Sequence, residues 1–136
     1  MKVLLGIGGS EDSYTALAEV VGRTRETGDD LTVAIVENPA SEATPAEIET
    51  RVRETVAEAG LALSEPDEAD EGSEESITLR RVSGEPGPRL VEIAEREEFD
   101  RLVLGGGTRS PMGKLTLGQV AEYVLLNARV TVTLVR

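Results

Sequence analysis

The stretch Asp100-Arg101-Leu102-Val103-Leu104-Gly105-Gly106-Gly107-Thr108-Arg109 sets an unbroken apolar run directly before three glycines. An apolar run without alternation is the pattern of a parallel strand covered on both faces. Glycines at its end let the backbone turn sharply and approach a neighbour closely. Four more short runs read the same way: Val3-Leu4-Leu5, Leu31 to Val36, Ile77 to Val82, and Val130 to Val135.

Between these runs the period changes to that of a helix. The first helix carries Tyr14, Leu17, Ala18 and Val21 on one stripe, with Ser10 as N-cap and Gly28 closing it. Thr44-Pro45-Ala46-Glu47 is a capping box with proline at the first helical position, and its stripe is Ile48, Val52, Val56 and Ala59. A third helix is expected from about Gly87 to Glu98 and a fourth from about Leu117 to Asn127. The alternation βαβαβαβαβ predicts an α/β fold: an open five-stranded parallel sheet with helices on both faces, joined by right-handed crossovers. The core is expected to hold Leu4, Ile7, Leu17, Val21, Val33, Ile35, Val52, Leu79, Ile93, Val103, Val120, Val124 and Val132. With no internal repeat or boundary, residues 1–136 read as one domain. The segment from Ser64 to Ser76, crowded with carboxylates and almost without apolar side chains, reads as a mobile acidic loop. Its spacing does not meet that of a divalent-cation loop.

Composition removes several chemistries. The 136 residues include no His, no Cys and no Trp, and the aromatic residues are Tyr14, Phe99 and Tyr123. Disulfides, thiol nucleophiles, Cys/His zinc sites and imidazole bases are therefore excluded. A net charge of -12, from 26 acidic against 14 basic residues, disfavours nucleic acid and anionic membranes. Lysine is nearly absent (Lys2, Lys114), a composition like that of proteins from extreme halophiles, where salt screens self-repulsion. Val3 to Ile7 is too short for a signal segment, and no run approaches the roughly 18 apolar residues of a membrane span, so the chain reads as cytoplasmic.

In an open parallel sheet, ligands bind beyond the carboxyl ends of the strands where strand order reverses. Gly6-Ile7-Gly8-Gly9-Ser10 and the run from Gly105 to Lys114 lie at such ends, the second leading through Leu117-Gly118-Gln119 into the last helix. Glycines, helix N-termini and the charges of Arg109 and Lys114 suit an anion; they also suit a plain strand-to-helix turn, and both readings stand. Neither a Walker A pattern nor G-x-G-x-x-G is completed. Ser10, Ser110 and Lys114 are the candidate nucleophiles and bases, but none has an activating partner in the sequence, so the chain does not read as an enzyme.

The order of these segments resembles the universal stress protein family. The resemblance runs from Lys2 to Ser10, through Val82-Ser83-Gly84-Glu85-Pro86 and Phe99 to Arg109, to Gly118 to Arg136, and the run from Arg109 to Lys114 is similar to the loop of haloarchaeal members. It implies a Rossmann-like fold of the adenine nucleotide alpha hydrolase type and a regulatory protein binding ATP or AMP, with any magnesium carried by the nucleotide. The family's G-x2-G-x9-G-(S/T) loop maps Gly105 and Gly118 onto its first and third glycines. Thr108 replaces the second glycine, Gln119 the hydroxyl residue, and Gly8 the aspartate expected after strand one. The implied site is Gly105, Thr108, Arg109, Gly118 and Gln119 around phosphate, with Gly8, Ser10 and Val36 around the nucleoside. The alternative is a member that binds no nucleotide and acts by protein contacts. In both cases the resemblance implies a homodimer through Val130 to Val135.

Overall fold

The computed structural model describes residues 1–36, 42–64, 76–106, 108–109, 115–116 and 118–135. The strands are β1 (Lys2–Ile7), β2 (Asp30–Val36), β3 (Ala62–Ser64), β4 (Ser76–Val82), β5 (Arg101–Gly105), β6 (Thr108–Arg109), β7 (Leu115–Thr116) and β8 (Thr131–Val135). The helices are α1 (Glu11–Thr27), α2 (Pro45–Glu58), α3 (Pro86–Arg96) and α4 (Gln119–Asn127). The main sheet has the order β3-β4-β2-β1-β5-β8, with every pair parallel.

Among the described residues six strands form this sheet where five were expected. The addition is β3, whose Leu63 pairs with Ile77. Three half-buried or exposed residues carry too little apolar pattern to announce a strand, and pairing with β4 is what makes them one. Ser64 and Ser76, expected as loop ends, belong to β3 and β4, while residues 65–75 of the expected acidic loop lie outside the described residues.

Each buried strand divides its side chains between two cores. Val3, Leu5, Ile7, Leu31, Val33, Ile35, Ile77, Leu79 and Val103 face α1 and α2. Leu4, Ala34, Val36, Val82, Leu102 and Leu104 face α3 and α4, with Leu90, Ile93, Ala94, Phe99 and Val124. Burial on both faces explains the unbroken apolar runs. Of the expected core, Val120 and Val132 are half-buried, because Val120 sits in the first turn of α4 and Val132 on an edge strand; the rest are buried.

The caps follow local chemistry. Ser13 N–H donates to Ser10 Oγ at 3.2 Å, and Gly28, in the left-handed region, closes α1. Thr44 and Glu47 form the reciprocal capping box of α2. Helix α3 ends two residues earlier than expected because the chain turns through Glu98 at φ 55° while Phe99 N–H donates back to Ala94 O at 2.9 Å. Helix α4 starts at Gln119, with Gly118 as its N-cap.

Candidate functional site

The sheet order reverses between β1 and β5, since the chain moves from β1 to β2 on one side and from β5 to β8 on the other. The carboxyl ends of those two strands therefore flank the crevice where ligands of such sheets bind. Continuing the registers Ile7↔Ile35 and Gly6↔Leu104 sets Gly8 level with Val36 on one side and Gly106 on the other. Gly8, Ser10, Val36 and Gly105 are thus gathered at one end of the sheet.

Their local roles differ. Gly9 turns the chain from β1 into α1 at φ 90°, a conformation that side chains oppose. Ser10 Oγ is occupied as the cap of α1, and Ser13 Oγ donates to Ser10 O at 2.7 Å. The Val36 side chain is buried in the core facing α3 and α4, so its backbone stands at the crevice. Gly105 gives room to protein rather than leaving an open cradle: a β-carbon there would lie 2.1 Å from the Asp12 carbonyl oxygen and 2.6 Å from Ser13 N. Gly106 was not singled out by sequence. Its N–H donates to Val135 O at 3.1 Å, and a β-carbon would meet Ala121 and Leu134 at ordinary contact distances of 3.6 and 3.8 Å. Nothing in a run of three glycines distinguishes these neighbours before the fold is known.

The segment expected as a glycine loop contains an antiparallel ribbon. β6 pairs with β7 through Thr108↔Thr116 and Arg109↔Leu115, which places Thr108 and Arg109 in extended backbone between β5 and α4. Residues 107, 110–114 and 117, including Ser110 and Lys114, lie outside the described residues. Gly118 and Gln119 are exposed at the start of α4, and among the described residues no side chain caps that helix. Among the described residues, a β-carbon on Gly118 would meet nothing within 4 Å. Helix α3 also lacks a side-chain cap. The helices covering one face, α1 and α2, are thus capped by Ser10 and Thr44, whereas among the described residues no side chain caps α3 or α4 on the other face. An uncapped first turn of α4 offers donors and a positive dipole end to an anion.

At the rim between α1 and α2, the Arg51 guanidinium lies 4.4 Å from the centroid of the Tyr14 ring. Burial raises the Tyr14 phenol above its ordinary value, with Arg51 opposing the shift and Glu11 and Glu47 adding to it. Among the described residues no cluster of three or more carboxylates could hold a metal, and no helix is long and apolar enough to cross a membrane.

The universal stress protein family model matches residues 1–136, the full length given. The chain belongs to the universal stress protein family. A universal stress protein from Methanothermobacter thermautotrophicus is 38% identical over 63 residues, 45% of this chain and 42% of that protein. The matches to curated relatives span less than half of those relatives' lengths. Among solved structures, a universal stress protein in complex with cAMP is similar at a TM-score of 0.63 and 24% identity, covering 98% of this chain and 94% of that one. A universal stress protein family member from Arabidopsis thaliana with AMP bound is similar at 0.61 and 14%, covering 99% and 91%. At these identities the likeness is one of fold, and this universal stress protein shares its parallel sheet flanked by helices on both faces.

Proposed function

We propose that the chain is a regulatory, non-enzymatic protein that binds an adenine nucleotide, ATP or AMP, at the crevice between β1 and β5. The observation that carries this reading is the N-terminus of α4, which no described side chain caps, near the end of β5, where a β-carbon on Gly106 would meet Ala121 at 3.6 Å. Phosphate would sit on the first turn of α4 with Thr108, Arg109, Gly118 and Gln119 about it, Gly105 serving to pack the end of β5 against α1 beside them, and the nucleoside near Gly8, Ser10 and Val36. Support comes from solved members of this fold that carry cAMP and AMP. Magnesium would arrive on the nucleotide. Gly8 supplies no acceptor for the nucleoside, so binding relies on phosphate contacts and backbone groups.

Calorimetry in molar KCl tests the proposal. The expected result is saturable ATP or AMP binding, weakened roughly tenfold by Arg109→Ala through loss of one charge-assisted hydrogen bond. Thr108→Gly with Gln119→Ser should tighten it. No binding by either the natural chain or the double variant rejects the reading, and binding by the double variant alone means that this chain has lost the site.

A second reading, a homodimer acting through protein contacts, is favoured by a different observation. β8 is an edge strand of uncharged side chains, with Val132 and Leu134 only half-buried, and Leu126 on α4 is 77% exposed. Such an edge invites pairing with a second copy. Sedimentation should find a dimer at tens of micromolar that Val132→Lys dissociates; a monomer under those conditions excludes it.

A further inference from the structure

We propose that a cleft at the opposite end of the sheet from the crevice binds a small oxyanion, with the Arg101 guanidinium as its anchor. The cleft lies between the C-terminal half of α1 and the corner made by β1, β5 and β8, and encloses about 50 Å³. Its polar lining includes Arg101, Arg23, Thr24 and Thr133.

Arg101 is out of place by the logic of its own strand. The registers Val3↔Arg101 and Arg101↔Thr131 put it on the face of β5 turned to α1, one step along from Val103, where the pattern calls for an apolar residue. Its Nε is buried with no hydrogen-bond partner among the described residues. Arg53, Arg80, Arg81, Arg89 and Arg96 each reach a glutamate within 3.2 Å, but Arg101 has no carboxylate within ion-pair distance among the described residues. A buried donor without an acceptor is costly, and in a chain so rich in carboxylates its isolation points to an acceptor from outside.

The chemistry of that acceptor follows from the lining. The guanidinium presents a fork matched to two oxygens of a carboxylate or phosphate. Arg23 adds a second charge from α1, and the two threonines add hydroxyl donors. Two carboxylates also line the cleft: Asp29 pairs with the Met1 amino group at 3.2 Å and also feels the Arg23 charge, and Glu19 is the second opposing charge. The volume suits a group of a few heavy atoms and is far below the several hundred Å³ typical of sites for larger ligands. The site is thus separate from the nucleotide crevice in both place and size.

The test titrates potassium phosphate, and separately potassium acetate, against KCl at constant ionic strength, following the arginine Nε–H resonances by nuclear magnetic resonance and the thermal midpoint. A saturable shift of the Arg101 Nε–H resonance with a rise in midpoint is expected. A response to phosphate alone assigns a phosphate site, and a response to acetate alone a carboxylate site. Arg101→Leu should abolish the midpoint rise, and Arg23→Gln should raise the half-saturating concentration roughly tenfold. No saturable response to either salt, a rise that persists in Arg101→Leu, or an unchanged half-saturation in Arg23→Gln overturns the proposal. Because Arg23 is exposed, its substitution keeps the test decisive even if Arg101→Leu does not fold.

Discussion

Gly105, at the end of β5, and Asp12, in the first turn of α1, are packed backbone to backbone, so that a β-carbon on the glycine would stand 2.1 Å from the Asp12 carbonyl oxygen. Backbone cannot swing aside as a side chain can. Gly105→Ala is therefore expected to lower stability by about 1–3 kcal/mol or more, the usual cost of overpacking. Gly106→Ala, meeting only ordinary contacts, should stay within about 0.5 kcal/mol of the natural chain. Urea unfolding of the two variants checks the contrast, and equal losses would contradict it.

Val103 is 3% exposed on a strand paired on both sides, with Leu5 and Thr133 as its register partners. Val103→Asp would bury an unpaired charge, one of the few single changes able to unfold a domain. Circular dichroism with thermal melting should show no cooperative transition in this variant.

Folding should depend on salt. At a net charge of -12, self-repulsion in the compact state is poorly screened in dilute buffer. The thermal midpoint is expected to climb from low ionic strength to molar KCl, and a flat response would refute the electrostatic argument.

Arg80 and Arg81, neighbours on β4, tie the sheet to opposite layers. Arg80 donates to both carboxylate oxygens of Glu97 at 2.7 Å, just beyond α3, and Arg81 donates to Glu49 on α2 at 2.6 Å. Hydrogen bonds from Arg81 and Arg53 hold the Glu49 carboxyl below its ordinary range. A carboxyl depressed in the folded state contributes stability that is present above its unfolded value and lost as pH falls through the folded one. Glu49→Gln should therefore flatten part of the acid limb of the stability curve and cost less than about 1 kcal/mol at neutral pH, as exposed pairs do. Denaturant midpoints measured from pH 7 down to pH 3 check this.

The chain's order of strands and helices was legible from sequence because its signals are local. Unbroken runs such as Leu102-Val103-Leu104, the stripe Ile48, Val52, Val56, and the caps at Ser10, Gly28 and Thr44 each need only neighbours within a turn or two to act. Charge balance and the absent residue types were likewise readable, and with them the exclusion of thiol, imidazole and zinc chemistry. Tertiary structure alone decided the rest. β3 is a strand only because β4 lies beside it, and Gly105 is required by a helix that starts far earlier in the chain, at Glu11. Ser10, legible as a cap, proved to have its hydroxyl committed to that cap at the very place where a ligand contact was expected. Arg101 carries no local signal of its place, and only the register sets it under α1, without a partner among the described residues. Such relations join residues far apart in the chain, and a contact across the fold leaves no period or spacing in the sequence from which it could be read.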